Sequence, residues 1–396
     1  MLKKYLTMKL YPLVKSFKHQ KPFFEFLYFY FIGVTGGARR DKMSNTVKAK
    51  AKGKLTSNQY IFNKDSIIGI WNFSSRPYSL GDILNFCIEL AVEAKRKQLP
   101  YTDLYIIIDP LHPAPSNQSH VSSVNYDKFL FEMLPVFNFC PVIRDIHIVR
   151  NRQSFEQELL TKNLFKEHCY PSLTQYFYEL DNGTPYSSLF SIFNDFKREY
   201  GYVPKLKRLS GFSVLNNSIQ FGFHPKQIFV AVHLRQRRAD TSGSCNDSLH
   251  RDAEQDVWLE FFSKAKIKFP QVKFIIIGRI YEFPRELFMM ENVIVLKSYG
   301  YGIAEELTVI QDADLFMGSN SGPATVAMFS NTPYFIFQDE KSAHVAETLA
   351  DMKIGQEVPF FAYEEQYFKW KNPTVGMLMS CLSSFYKKAK QKSNRD

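Results

Sequence analysis

The chain has few cysteines, and none lies close enough to another to form a CxxC pair. The five are Cys87, Cys140, Cys169, Cys245 and Cys381. A disulfide scaffold and a structural zinc module both need denser cysteine patterns. The sequence therefore excludes both as the organising principle of a chain of 396 residues. That length suits about two domains.

Two nucleotide-binding signatures are also missing. No segment has the pattern GxxxxGK[ST], and no GxGxxG follows a strand that we can place. These motifs bring backbone N–H groups onto phosphates in P-loop NTPases and in dinucleotide oxidoreductases, so both classes are disfavoured. No DxD carboxylate pair stands in a loop suited to a divalent ion. The sequence predicts no metal site and no resident cofactor.

The most aromatic run is too short to span a bilayer. Residues 23–34 read FFEFLYFYFIGV and include Glu25. A spanning helix needs about 20 apolar residues, and the run does not end in the small-residue cleavage site of a secretory signal. Basic residues flank it on both sides. Three interpretations remain for residues 1–42: a peripheral anchor on an anionic membrane surface, a tail that packs on the body or stays loose, or a signal-anchor.

Positive charge is concentrated at the start of the chain. Residues 1–60 hold 13 of the 50 Lys and Arg but 2 of the 39 Asp and Glu, so the rest of the chain holds 37 of each sign. A nucleic-acid enzyme would carry cations along its working cleft. The pattern instead predicts a basic extension over residues 1–62 and no nucleic-acid partner. We expect a cytoplasmic protein at the membrane surface, with a Golgi or ER lumen as the alternative for a eukaryotic chain.

Short apolar runs that alternate with helical periodicity predict two α/β domains. Residues 63–212 contain three predicted strands and residues 213–372 contain five, with a final helix in 373–396. Strand–helix–strand repeats at this spacing indicate doubly wound parallel sheets. The predicted strands are residues 67–73, 104–108, 143–149, 228–233, 272–278, 293–297, 315–318 and 334–337.

Cations follow the first predicted strand of the second domain. Residues 233–240 read HLRQRRAD, and strand alternation puts His233 and Arg235 on one side. Ligands of such sheets bind beyond the carboxyl ends of the strands. Arginines placed there can fork onto phosphate oxygens, which makes Arg235 and Arg238 candidate phosphate ligands. A solvated charged loop is the alternative interpretation.

A turn of small residues follows a later strand of the same domain. Residues 318–323 read GSNSGP, and a helix is predicted to begin there with proline in its first turn. Free N–H groups at a helix start favour a phosphate at Gly322. Hydroxyl and amide groups of Ser319, Asn320 and Ser321 can add contacts. A well-capped helix without a ligand is the alternative.

Two aspartates follow strands of the first predicted domain. Asp82 is either a helix N-cap or a carboxylate that takes a proton from an acceptor hydroxyl. Asp109 precedes a proline and is more typical of a turn residue. In the second domain, backbone groups near Gly278 and Lys297 are the candidates for contacting a nucleoside.

Three segments of the sequence resemble known glycosyltransferases. Residues 313–337, ADLFMGSNSGPATVAMFSNTPYFIF, resemble the donor-binding segment of two-domain GT-B enzymes, most of all the heptosyltransferase type. Residues 79–84, SLGDIL, are similar to the first-domain Gly-Asp motif of that group. The loop at 233–240 is instead similar to the His-x-Arg-Arg loop of GT-B fucosyltransferases.

The resemblance implies two Rossmann-like domains that face a cleft. Residues 63–212 would bind a glycan or lipid-linked acceptor, and residues 213–372 a nucleotide-sugar donor. By match, Asp82 takes the place of the general base, and Arg235 that of the residue binding the donor diphosphate, with Arg238 less surely matched. His233 belongs to the same catalytic loop.

The expected reaction is a metal-independent sugar transfer in surface polysaccharide or glycoconjugate synthesis. Arginines and the turn near Ser321 would stabilise the leaving diphosphate in place of a metal, and one direct attack would invert the anomeric centre. One alternative is a nucleotide-sugar epimerase or hydrolase, which needs another acid–base pair such as His233 with Asp240. The other is a non-catalytic nucleotide- or glycan-binding module on the same fold.

Overall fold

A computed structural model describes most of the chain after residue 59. The described residues are 60, 62–162, 167–183, 189–209, 227–236, 252–340 and 355–393. The predicted membrane anchor at residues 1–42, the second loop arginine Arg238 and its neighbour Asp240 lie outside them. Among the described helices, none combines the length and the apolar character needed to cross a membrane.

The described chain contains ten strands and nine α-helices, numbered here in chain order. The strands are β1 Ser66–Asn72, β2 Tyr101–Ile107, β3 Ile143–Val149, β4 Cys169–Tyr170, β5 Ile228–His233, β6 Val272–Ile277, β7 Val293–Val295, β8 Leu315–Ser319, β9 Tyr334–Phe337 and β10 Gln366–Lys369. The helices are α1 Leu80–Arg96, α2 Tyr126–Met133, α3 Arg152–Thr161, α4 Leu173–Asn182, α5 Leu189–Tyr200, α6 Gln255–Lys268, α7 Ile303–Asp312, α8 Gly322–Met328 and α9 Val375–Ser393.

The chain divides into two compact units, each with one sheet. The first takes residues up to Pro77, Glu93–Ser116 and Val142–Pro185, and the second takes Tyr78–Val92, Asn117–Pro141 and the residues from Tyr186 onward. The sheets have four and six strands, and every strand pair is parallel. The predicted α/β class with two parallel sheets is confirmed.

The sheet of the first unit has the order β3-β2-β1-β4. All seven residues of β1 are buried, as expected for a parallel strand that is covered on both faces. Ile68 and Ile70 pack with Tyr105 of β2 against Phe155 of α3 and Tyr176 of α4. This contact removes several large apolar side chains from water, and each one that is fully buried stabilises the fold by roughly 1.5–3 kcal/mol.

The sheet of the second unit has the order β10-β9-β8-β5-β6-β7. From β5 the chain moves outward to β6 and β7, and then returns to the other side of β5 as β8. The order therefore reverses between β5 and β8, and in such sheets this reversal is where ligands bind, beyond the carboxyl ends. The register pairs His233 with Gly318 on one side and with Ile277 on the other, so these three strands end at one level.

One face of the six-stranded sheet is covered by α6 and α9. Val230 and Val232 of β5 pack with Trp258 and Phe262 of α6 and with Leu382 of α9. Because side chains alternate along a strand, His233 belongs to the opposite face. The apolar pattern of β5 thus fixes the side of the sheet on which the candidate histidine lies.

Two strands and one helix end differ from the sequence prediction. β4 has two residues and is too short to show a pattern, and β10 reads QYFK, in which polar and aromatic residues mix. The spacing of apolar residues over 126–138 predicts one helix, but the segment is α-helical only to Met133 and continues as a 3-10 helix to Phe139. Pro135 lacks the N–H that an α-helix would use there, which explains the change.

Candidate functional site

The first of the two predicted ligand-binding segments meets the second at His233. Its Nδ1 atom lies 2.8 Å from the Oγ atom of Ser321. A Cβ atom on Gly318 would lie 2.8 Å from the carbonyl oxygen of His233, so only glycine allows the end of β8 to approach β5 this closely. The structure therefore brings together the loop that follows β5 and the turn that follows β8.

The hydrogen bonds of Ser321 decide which ring nitrogen of His233 carries the proton. Ser321 Oγ also lies 3.0 Å from the carbonyl oxygen of Ser319, which can only accept a hydrogen bond. The single hydroxyl proton then goes to that carbonyl, and Nδ1–H of His233 donates to Ser321 Oγ. Nε2 of His233 then carries no proton and can accept a hydrogen bond.

His233 is held neutral. Burial, together with the smaller effect of the positive charge of Arg235, lowers its pKa to about 3. A histidine of this kind neither donates a proton as an acid near neutral pH nor acts as a strong base. The geometry therefore suits a hydrogen-bonding and orienting role for His233.

Arg235 lies two residues beyond the end of β5 and is mostly buried. Its Nη1 atom is 3.9 Å from Oδ1 of Asp252. The N–H of Ala253 donates to the carbonyl oxygen of Arg235 at 2.8 Å, which fixes the backbone at this point. A guanidinium has five N–H donors, more than one carboxylate accepts, so it can serve a carboxylate and a phosphate together.

Glu282, which sequence reasoning missed, has its carboxyl group beside this arginine. It accepts a hydrogen bond from the backbone N–H of Gln236. Burial raises the pKa of Glu282 to about 7, against the opposing effect of the Arg279 and Arg235 charges. Its protonation state therefore changes near neutral pH. No local pattern could have indicated it, because the contact joins two separate loops.

Both residues predicted to contact a nucleoside share one buried carboxylate. The N–H of Gly278 donates to Oε1 of Glu306 at 3.1 Å, and Nζ of Lys297 lies 3.0 Å from Oε2 of the same residue. Gly278 has φ +132, which side chains rarely allow, and an added Cβ would lie 3.4 Å from Cδ2 of His233. Sequence reasoning missed Glu306, because Glu305 stands directly before it and no local pattern shows which of the two is buried.

The turn after β8 has fewer backbone N–H groups available to bind a phosphate than the sequence suggested. The N–H of Asn320 donates to the carbonyl oxygen of Phe337 at 3.2 Å, so it is occupied by the sheet. Ser319 Oγ is buried and has no hydrogen-bond partner within the described part of the chain. The helix that follows, α8, begins at Gly322 as predicted but has seven residues and ends at Met328.

The start of α1 packs directly on the start of α8. An added Cβ on Gly322 would lie 2.8 Å from Cβ of Leu80 and 3.1 Å from the backbone nitrogen of Gly81. Two glycines thus allow the first turns of both helices to touch within the second unit. Asp82 is half-buried in that first turn of α1, beyond the N-cap position, where a carboxylate is favoured by the helix dipole.

Asp109 behaves as a turn residue. Its Oδ1 atom accepts the N–H of Leu111 at 3.0 Å, and its Oδ2 atom lies 3.3 Å from Nδ1 of His112. Both contacts are local, as the turn interpretation predicts. Asp109 belongs to the first unit.

One cluster in the first unit has the residue types of a metal site. Ligand atoms of Asp103, Asp145 and His147 all lie within 4.8 Å of one another. The carboxylate of Asp103, however, accepts hydrogen bonds from Nε and Nη2 of Arg144 at 2.9 and 2.6 Å, and from Asn63 at 2.8 Å. A cation would have to displace this bidentate arginine, so the donor set fits an ion-pair network better than a metal centre.

The sequence matches no protein-family model and no curated protein. Solved structures with a similar chain path include E. coli ADP-heptose LPS heptosyltransferase II, with 8% identity, a TM-score of 0.47, and coverage of 82% of this chain and 99% of that one. A family 9 glycosyltransferase from Veillonella parvula has 10% identity, a TM-score of 0.45, and coverage of 82% and 98%. E. coli heptosyltransferase WaaC with ADP-2-deoxy-2-fluoro heptose has 11% identity, a TM-score of 0.34, and coverage of 80% and 99%. Such distant likenesses carry no residue roles over to this chain.

Proposed function

We propose that the chain is a glycosyltransferase that takes a sugar from a nucleotide-sugar bound at the carboxyl edge of the six-stranded sheet. The contact that carries this proposal is the 2.8 Å hydrogen bond between His233 and Ser321. It puts the arginine-bearing end of β5 beside the hydroxyl-lined turn after β8. A diphosphate needs positive charge and several hydrogen-bond donors in one place, and these adjacent strand ends supply both.

The leaving group explains why an arginine is needed. As the glycosidic bond breaks, its electron pair goes to the nucleoside diphosphate, which gains negative charge. Arg235 and the backbone N–H groups at the start of α8, which lack acceptors within the helix, stabilise that charge. Loss of one such donor raises the barrier by about 2.7–4 kcal/mol, by analogy with oxyanion donors. Arg238 adds to this charge in our proposal, on the strength of its place in the same loop.

Asp82 is the proposed general base. It takes the proton of the acceptor hydroxyl while that oxygen forms the new bond to the anomeric carbon, and the diphosphate leaves from the opposite face. One displacement of this kind inverts the anomeric centre. The contact between the first turns of α1 and α8 supports this role, because it puts Leu80 and Gly81, the two residues before Asp82, against Gly322 in the same unit.

His233 orients the site and does not transfer a proton in this scheme. Its Nδ1–H holds Ser321, and its Nε2 accepts a hydrogen bond from the donor substrate. A pKa of about 3 also counts against an epimerase or a hydrolase that would use His233 as its acid–base partner. The proposal extends to a hexose, heptose or deoxyhexose donor and to a glycan or lipid-linked acceptor in surface polysaccharide synthesis, with residues 1–42 at an anionic membrane.

A melting-temperature screen tests the donor class. ADP, GDP, UDP and CMP, with their sugar conjugates, are added to the full chain. A ligand that binds only the folded state stabilises it by about 2.7 kcal/mol at a hundred times its Kd, so one base class is expected to raise the transition. Absence of any shift, together with absence of sugar transfer from these donors, contradicts the proposal.

Turnover separates an enzyme from a binding module. With the donor that the screen identifies, Asp82→Asn is expected to keep donor affinity and to lose transfer, since the amide no longer accepts the proton. Asp109→Asn is the matched control, because that carboxylate also follows a strand but is used locally. Equal rates of sugar transfer by wild type and Asp82→Asn would show that Asp82 is not the general base. Donor binding without transfer by the wild type favours the binding module.

A further inference from the structure

Glu306 is a buried carboxylate that the proposed reaction does not use. It lies in α7, its side chain is completely buried, and its neighbours Leu307, Val309 and Ile310 are buried apolar residues. Burial raises its pKa, while Lys297 and the N–H of Gly278 act in the opposite direction. Removing such a group from water is costly, and a buried ion pair often contributes no more stability than an apolar replacement of the same size. Stability alone is therefore a poor explanation for Glu306.

The two oxygens of Glu306 join the ends of two neighbouring strands. Oε1 accepts the N–H of Gly278, which directly follows β6, at 3.1 Å. Oε2 lies 3.0 Å from Nζ of Lys297, in the 3-10 helix that follows β7. Because Ile276 pairs with Val295, Gly278 and Lys297 occupy matched positions beyond the carboxyl edge. One side chain thus sets the spacing of both.

The same carboxylate is connected to the proposed diphosphate site. An added Cβ on Gly278 would lie 3.4 and 3.5 Å from Cδ2 and Nε2 of His233, so the glycine backbone rests against the imidazole. His233 in turn binds Ser321. The strand order β8-β5-β6-β7 puts Glu306 and its partners on the side of β5 away from β8. A nucleoside that extends from a diphosphate between β5 and β8 toward β6 and β7 would meet Gly278 and Lys297.

We propose that Glu306 is a positioning residue for the nucleoside half of the donor, acting through Gly278 and Lys297. The inference rests on the proposed function and deepens it. The carboxylate holds the Gly278 peptide and the Lys297 ammonium where a nucleoside meets them. The diphosphate half, held by Arg235 and the turn at Ser321, does not depend on it.

The test compares two ligands in Glu306→Gln. The amide oxygen still accepts the Gly278 N–H, but the amide faces Lys297 without a charge. We expect the affinity for the stabilising nucleoside diphosphate to fall about tenfold, which equals about 1.4 kcal/mol, while the affinity for inorganic pyrophosphate changes less than about twofold. KM for the nucleotide-sugar is expected to rise with little change in kcat.

Two outcomes overturn the inference. Unchanged affinity for the nucleoside diphosphate shows that Glu306 does not act on the nucleoside. An equal loss for both ligands shows a structural role only. Glu291→Gln is the matched control: Glu291 pairs with Lys266 at 2.8 Å, but it precedes β7 and so lies at the opposite edge of the sheet. Glu291→Gln is expected to change the affinity for neither the nucleoside diphosphate nor inorganic pyrophosphate.

A second pair of variants applies if Glu306→Gln does not fold. Lys297→Gln is expected to lose about tenfold of the affinity for the nucleoside diphosphate and to leave pyrophosphate binding intact, whereas Lys297→Arg, which keeps the cation, is expected to lose less. Equal affinities in both variants overturn the inference. A wild type that binds none of the ligands instead overturns the proposed function, and the inference with it.

Discussion

Each sheet has an arginine shortly after its central first strand, and the two arginines have different ion-pair geometries. Arg76, after β1, forks onto Glu179 with Nε–Oε2 and Nη2–Oε1 distances of 2.8 and 3.0 Å, and both side chains are buried. Arg235, after β5, has its ion pair with Asp252 at 3.9 Å. In our proposal the first arginine stabilises the fold and the second binds the donor diphosphate. Position after a strand does not by itself separate the two roles.

Polar groups near the two strand ends do not separate the two edges. At the end of β1, Asn72 donates to the hydroxyl of Tyr176 at 3.3 Å and accepts the N–H of Ser74 at 2.9 Å. Ser74 Oγ, after β1, and Ser319 Oγ, at the end of β8, are both buried without a hydrogen-bond partner among the described residues. A buried hydroxyl without a partner costs free energy at either edge, so the two arginines are the groups that differ.

The largest expected effect tests the structural half of this comparison. Arg76→Ala leaves Glu179 buried without its partner, and we expect the free energy of unfolding to fall by about 3–5 kcal/mol. Denaturant unfolding measures it. Arg198→Ala is the control, since Arg198 pairs with Asp195 on the surface at 2.7 Å and exposed pairs contribute about 0–1 kcal/mol. Equal stability of Arg76→Ala and wild type would break the comparison.

The next effect tests the ligand-binding half. Arg235→Ala is expected to abolish detectable nucleotide binding and to raise the barrier to transfer by about 2.7–4 kcal/mol, with a smaller change in stability than Arg76→Ala. Calorimetric titration and kcat/KM measure the two effects. Arg235→Lys keeps the charge but not the fork, so partial recovery is expected. Nucleotide affinity that is unaffected by Arg235→Ala contradicts the assignment.

Gly322→Ala tests whether the contact between α1 and α8 matters for turnover. The new Cβ would lie 2.8 Å from Cβ of Leu80, so the first turn of α1, with Asp82, must shift. Overpacking of this kind costs about 1–3 kcal/mol, and we expect a fall in kcat that exceeds the loss of donor affinity. Gly376→Ala is the matched control, because its Cβ would meet only Oγ1 of Thr374 at 3.9 Å. Similar kcat values in both variants would contradict a role for Asp82 in the reaction.

The smallest expected effect is a pH dependence set by Glu282. Its pKa of about 7 means that the carboxyl is neutral below that pH and negative above it. The negative form competes with the diphosphate for Arg235, so donor affinity is expected to fall by a factor of about three to ten as pH rises from 6 to 8, which is at most about 1.4 kcal/mol. Asp252 and Arg279 are the other charged groups described beside it.

Titration with the nucleotide-sugar measures this dependence, because its diphosphate does not change protonation in that range. Glu282→Gln is expected to flatten the profile and to keep the affinity that the wild type has at pH 6. A wild-type profile that is already flat, or one that the variant leaves unchanged, shows that Glu282 does not act on Arg235.

Eight of the ten described strands could be predicted from the sequence, and so could the meeting of the two predicted ligand-binding segments. Buried strands such as Ile228–His233 form apolar runs that end in polar residues, and those ends are where ligands of parallel sheets bind. The pairing of His233 with the turn at Ser321 followed from that rule, because both segments leave the same edge. Short strands without a pattern, such as Cys169–Tyr170, were missed.

The partners of the site residues could not be predicted. Glu179, Glu282 and Glu306 act on residues far away in sequence, and a glutamate in a helix or loop has the same local pattern whether or not it is buried. Burial depends on the tertiary packing around each carboxylate. For the same reason the sequence could not distinguish Arg76, which forms a buried bidentate ion pair with Glu179, from Arg235.

A structure of the chain with the nucleoside diphosphate that stabilises it most would test the central claim directly. We predict phosphate oxygens within hydrogen-bonding distance of the Arg235 guanidinium and of the turn at Ser321, with the nucleoside over Gly278. A nucleotide bound at the carboxyl edge of the four-stranded sheet, with Arg235 still turned to Asp252, would contradict it.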